Sequence, residues 1–157
     1  MPDHDLIKLR LSLMGRPVRN YTFEDVTDRA GVADTVGWKS GVTMADVNGD
    51  GKLDLFLTRG SAPPALYINH GKAGFRNEAA ARGVAGDGTP EYGAVFADYD
   101  NDGRPDLYIT RHGTDVLYHN VGGGRFKDVT ASAGVGAGYS RRTDPPGTTV
   151  TFAGGRP

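Results

Sequence analysis

"DVNGDGKLDLFLT" runs from Asp46 to Thr58, and "DYDNDGRPDLYIT" runs from Asp98 to Thr110, 52 residues further on. Each begins as an acidic, glycine-bearing turn and ends as an apolar strand. Counted from the first aspartate, the first stretch places Asp46, Asn48, Asp50 and Asp54 at positions 1, 3, 5 and 9. The second places Asp98, Asp100, Asp102 and Asp106 there. Position 6 is Gly51 or Gly103, which permits the sharp turn that folds the oxygens inward. Position 7, Lys52 or Arg104, is expected to offer its backbone carbonyl while its charged side chain points to water.

The same spacing governs the neighbouring segments. "FEDVTDRAGV" starts at Phe23, "FRNEAAARGV" at Phe75 and "FKDVTASAGV" at Phe126, intervals of 52 and 51 residues. "LYINHGKAGF" at Leu66 returns as "LYHNVGGGRF" at Leu117. Three landmarks holding one register mark an internal repeat, and each unit reads as four short strands separated by turn chemistry. "SGVTMAD" and "YGAVFAD" enter the acidic loops, and "LDLFLT" and "PDLYIT" leave them. "ALYIN" and "VLYHN" follow, then a glycine-rich hairpin and the Phe-led segment. Helix is expected at most in "EAAARG", near Glu78. Four strands in about 50 residues is the size of one propeller blade, so the expected fold is all-β, with about two complete four-stranded blades. The expected organisation is an extension carrying a strand over 1–20 and a repeat region over 21–136. Within the latter, units cover about 23–74 and 75–125, a third starts at 126, and an irregular tail occupies 137–157.

The 157 residues carry 18 basic and 19 acidic side chains, a balance without the basic excess of a nucleic-acid binder. Twenty-four glycines and nine prolines fit many tight turns. The chain has no cysteine, which excludes disulfides, zinc thiolate sites and a cysteine nucleophile. No run approaches the roughly 18 apolar residues of a spanning helix. The start lacks a secretory pattern, because Lys8 and Arg10 interrupt the apolar residues; Ile7, Leu9, Leu11 and Leu13 alternate as in a half-buried strand.

An all-oxygen donor set without histidine or cysteine suits a hard cation, and calcium accepts six to eight oxygens with flexible geometry. Carboxylates about 4 Å apart repel by roughly a few kcal/mol per pair at an effective dielectric near 20. A divalent ion reverses that sign and ties the flanking strands together. Two Ca2+ sites are therefore expected, with Asp46, Asn48, Asp50, Lys52 and Asp54 forming one and Asp98, Asp100, Asp102, Arg104 and Asp106 the other. An EF-hand would need a glutamate at position 12 and a following helix. Leu57 and Ile109 stand there, inside strands. A dockerin fails on the same ground and on the 52-residue spacing.

The order of these motifs, an acidic loop between two strands, LYxN, a glycine hairpin and FxDVTxxAGV, resembles the FG-GAP/VCBS repeat of integrin-alpha type β-propellers. The DVT…AGV phrase with "DYDNDGRPDLY" is similar to proteins of the ASPIC/UnbV and cartilage-acidic-protein type. The resemblance covers about Tyr21 to Gly136. It implies a calcium cage in the loop of each blade and an extracytoplasmic role in binding, adhesion or scaffolding. It also implies a protein or carbohydrate ligand and neighbouring blades, from a longer parent chain or by self-association. The third unit departs from the pattern. Its cage positions hold Val150, Phe152 and Gly154, which cannot ligate calcium, as expected of a fragment whose tail arises from truncation or a reading-frame slip.

Nothing in the sequence assembles a catalytic group. There is no G-x-S-x-G elbow and no phosphate-binding loop. His70 and His119, in or beside the repeated hairpin, are expected as solvent-exposed turn residues. Trp38 and Tyr92 precede the inner strands and are expected to pack inside. Asn20-Tyr21-Thr22 matches a glycosylation sequon by chance. The expected function is a non-enzymatic calcium-binding module. The alternative is a partial propeller of a calcium-dependent, polysaccharide lyase-like enzyme, which would need catalytic bases outside the cages.

Overall fold

The computed structural model describes residues 22–136 as two four-stranded antiparallel sheets. The first takes β1 (Lys39–Ala45), β2 (Asp54–Arg59), β3 (Ala65–Asn69) and β4 (Phe75–Asn77) in that order. The second takes β5 (Glu91–Ala97), β6 (Asp106–Arg111), β7 (Val116–Gly122) and β8 (Arg125–Asp128). The registers repeat between the blades except in the last hairpin, where β7 and β8 add a slip at Asn120/Gly122. Ala45 faces Asp54 as Ala97 faces Asp106, and both first hairpins slip by one residue at their far end, at Lys39/Gly41 and Glu91/Gly93. These are two propeller blades, and the expected all-β class holds.

Each meander forms because short runs rich in aromatic and branched aliphatic residues, such as LFLT and LYIT, are separated by glycine-, proline- and aspartate-bearing turns. The core lies between the blades. Phe56, Leu66 and Ile68 of the first sheet meet Leu107, Ile109 and Phe126 of the second, with Val47, Ala79 and Val84 closing the cluster. Phe96 is the hinge pin of this packing, with its ring 6.3 Å from that of Phe56, edge to face, and 6.4 Å from that of Phe126. Such an arrangement contributes about 0.5–1.5 kcal/mol per aromatic pair beyond the area buried. The inner strands β1 and β5 run side by side, and Ser40 Oγ donates to the Glu91 carbonyl across the junction at 2.6 Å.

Several expectations are corrected. The fourth strand of each blade is the Phe-led segment, as the four-strand reading expects, and Phe75 and Phe126 pair with the strands before them, so the starts at 23, 75 and 126 mark the repeat period and not the sheet edges. The first Phe-led segment has no sheet to join among the described residues, and Phe23 is 97% exposed. "EAAARG" makes only a turn, with Arg82 N–H donating to the Glu78 carbonyl before Gly83 breaks the ladder at φ +84°. Helix appears instead as single turns after two other Phe-led segments, α1 (Thr27–Ala30) and α2 (Thr130–Ala133), each ended by a left-handed glycine, Gly31 and Gly134. Trp38 and Tyr92, expected inside, are 55% and 50% exposed. The Trp38 indole lies flat over Gly60, where a Cβ would fall 1.8 Å from the ring, so it packs on backbone instead of entering the core. The sequon, the strand expected over Ile7–Leu13 and the tail lie outside the described residues, as do Val150, Phe152 and Gly154. No described helix is long and apolar enough to cross a membrane.

Candidate metal centre

The two acidic loops join β1 to β2 and β5 to β6 at the same end of the blades. Gly51 and Gly103 take φ of +82° and +84°, as position 6 requires. Position 4 is left-handed too, at Gly49 and at Asn101, a reversal that the motif reading did not foresee. The first aspartate of each loop is pinned by backbone donors. Asp46 accepts from the amides of Gly49, Asp50 and Gly51, and Asp98 from those of Asp102 and Gly103.

The ninth-position aspartates are the most buried carboxylates of the loops. Asp54 accepts from Val47 N–H at 3.0 Å and from Asn69 N–H at 2.8 Å. Burial pushes its pKa up, against the pull of those two amides, and the nearby Asp50 and Asp46 charges push the same way. Asp106 accepts from Asn120 N–H at 2.7 Å and Tyr99 N–H at 3.2 Å. A carboxylate held this way at a strand start acts as a fixed post around which the rest of the loop is hung.

The second loop gathers its oxygens. One carboxylate oxygen from each of Asp98, Asp100 and Asp106 lies within 4.8 Å of the others. Three converging carboxylates are a donor set that fits a hard divalent cation. In the first loop Asn48 replaces one carboxylate and Asp50 is drawn aside. Lys52 keeps an exposed side chain that bends back over the loop. Its Nζ lies 3.1 Å from Asp50 Oδ2, and that hydrogen bond, first among its causes, holds the Asp50 pKa below the usual carboxylate range. Arg104 likewise turns inward, pairing with Asp102 and donating to the Asn120 carbonyl at 2.7 Å. Both cations partly neutralise loops whose like charges would otherwise repel.

Sequence reasoning missed three features. His119 is no turn residue but sits half-buried on β7, with Nδ1 3.0 Å from Asp106 Oδ1 and 3.3 Å from Asp100 Oδ2. His70, by contrast, lies at the exposed hairpin as expected and bonds Glu78 at 2.8 Å. Asn120, wholly buried, links the loops. Its Nδ2 donates to the Val47 carbonyl of the first loop at 2.8 Å and to Pro105 of the second at 3.2 Å. At the far end of the strands, Arg59 pairs with Asp34 at 2.7 Å and Arg111 with Asp87 at 3.0 Å, one bracket per blade. Burial works upward on the Asp34 pKa, yet the Val36 amide and Arg59 outweigh it and hold that carboxyl low. The 52-residue spacing of the two arginines was the available signal.

The family model for the FG-GAP-like repeat matches residues 46–109 and again 98–153. Among curated proteins, cartilage acidic protein 1 of Mus musculus is 35% identical over 93 residues, 57% of this chain. The Homo sapiens and Xenopus tropicalis proteins of that name are 34% and 31% identical over 91 residues. The chain spans about 14% of the length of each of these relatives. With both acidic loops and every strand except β1 inside the matched residues, the chain belongs to the FG-GAP-like repeat family.

Proposed function

We propose that this chain is a non-enzymatic, calcium-binding propeller module for extracellular binding, adhesion or scaffolding, with one ion in each acidic loop. The observation that carries the reading is the convergence of Asp98, Asp100 and Asp106 on one point at the end of an inner hairpin whose register the first blade repeats. Asp46, Asn48, Asp50 and Asp54 would hold the first ion and Asp98, Asp100, Asp102 and Asp106 the second, with the carbonyls of Lys52 and Arg104 completing the shells. The ions supply charge neutralisation and cross-linking of strands; they take no part in any reaction. Membership of the FG-GAP-like repeat family supports a place outside the cytoplasm. The partner is a protein or carbohydrate, or further blades. Membership of the repeat family supports a non-catalytic role. Calcium titration of the purified chain, run beside a polysaccharide-cleavage screen with and without calcium, tests both halves. Binding without turnover is expected; turnover that depends on calcium would overturn the non-enzymatic reading.

A further inference from the structure

The two loops share a motif but not a surrounding. At the third strand of the first blade, position 68 is isoleucine, fully buried in the core. The same repeat position in the second blade is His119, and its imidazole turns into the acidic loop. Nδ1 lies 3.3 Å from Asp100 Oδ2, and Nε2 lies 3.9 Å from Asp102 Oδ2. Asp100, Asp102 and His119 each present one donor atom, all within 4.8 Å of one another. Tyr99 stands edge-on to the ring, with centroids 6.1 Å apart, and limits its swing. Imidazole nitrogen beside carboxylate oxygen is the donor set of borderline divalent transition ions, whereas oxygen alone favours calcium and magnesium.

We infer that His119 is the metal-selecting residue of the second loop, so that the loop admits a divalent transition ion such as Zn2+ through Asp100, Asp102 and His119, while the first loop remains restricted to hard cations. The inference rests on the reading of both loops as cation sites and adds a nitrogen donor to one of them. Arg104, now paired with Asp102, gives way when that carboxylate takes an ion. The hydrogen-bonded carboxylate of Asp106 beside Nδ1 fixes the ring for this task, as carboxylates do behind metal-bound histidines.

The test is calorimetry of the 157-residue chain with ZnCl2 and, separately, CaCl2, on the wild type, His119→Ile and His119→Gln. Isoleucine is the residue the first blade carries at this position, and glutamine keeps a polar group of similar reach should isoleucine disturb folding. Imidazole NMR during the zinc titration reports which histidine responds. The expected result is zinc binding that weakens by roughly tenfold or more in both variants, with calcium binding at the first loop retained and the missing imidazole signals being the zinc-responsive ones. A wild type that binds no zinc, or zinc affinity unchanged by either substitution, overturns the inference and leaves the calcium reading standing. Zinc binding that depends on His119 in a chain indifferent to calcium upholds the inference and overturns the calcium reading.

Discussion

Glu91 shows how one side chain can set a pH dependence in this molecule. It is 3% exposed, and its Oε2 has no hydrogen-bond partner among the described residues. Burial pushes its pKa up to about 7, with Arg111 and Arg59 pulling down and Asp87 pushing up. The folded chain therefore keeps a proton that the unfolded chain releases near the ordinary carboxylic value. Stability from this group is complete below about pH 4.5 and is lost as pH rises towards 7. Glu91→Gln removes the titration while keeping the shape. Urea denaturation at pH 5 and pH 8 should show the variant gaining about 1–3 kcal/mol over the wild type at the higher pH and little at the lower. Parallel pH profiles would contradict the assignment. The first blade carries Lys39 at this position, its Nζ 3.6 Å from Asp34, so the polar bracket is shared while its central charge is reversed.

The loops and hairpins depend on one another through Asn120. Asn120→Ala leaves the buried Val47 and Pro105 carbonyls without their donor and should cost about 1–3 kcal/mol in chemical denaturation. A loss below about 0.5 kcal/mol would mean that the link is incidental. Loop composition sets a second expectation. The second loop has four carboxylates against three in the first, so Asp102→Ala should lower overall calcium affinity more than Asp50→Ala; calorimetry showing the reverse would contradict that ranking. The clustering of the loop aspartates was legible in the sequence because they lie within nine residues of one another, and position 6 announced its own turn. His119 was not, because it stands more than ten residues from the loop and reaches it only through the pairing of β6 with β7, Leu107 opposite Tyr118. The pairing of Lys52 with Asp50 and of Arg104 with Asp102 was also hidden, since a motif specifies loop spacing and leaves the position-7 side chain free to answer local charge.

The repeat register carried the whole architecture. A 52-residue interval kept by three landmarks foretold two identical sheets, and β1 to β8 follow it down to the shared slip at Lys39 and Glu91. What it could not specify was where one blade ends. Strand pairing assigns Phe75 and Phe126 backwards to β3 and β7, and the motif order alone is compatible with either partition. Because the core lies between the blades and each loop sits at the mouth of an inner hairpin, metal at the loops should stabilise the pair of sheets together. Binding is worth about 2.7 kcal/mol per site when free calcium exceeds its dissociation constant about 100-fold.

Calcium titration by calorimetry, paired with thermal melts of the same metal-stripped sample, probes this most directly. Heat from binding at both loops and a melting temperature that climbs with calcium are the predicted result. No heat, and an unchanged melt in millimolar calcium, would contradict it.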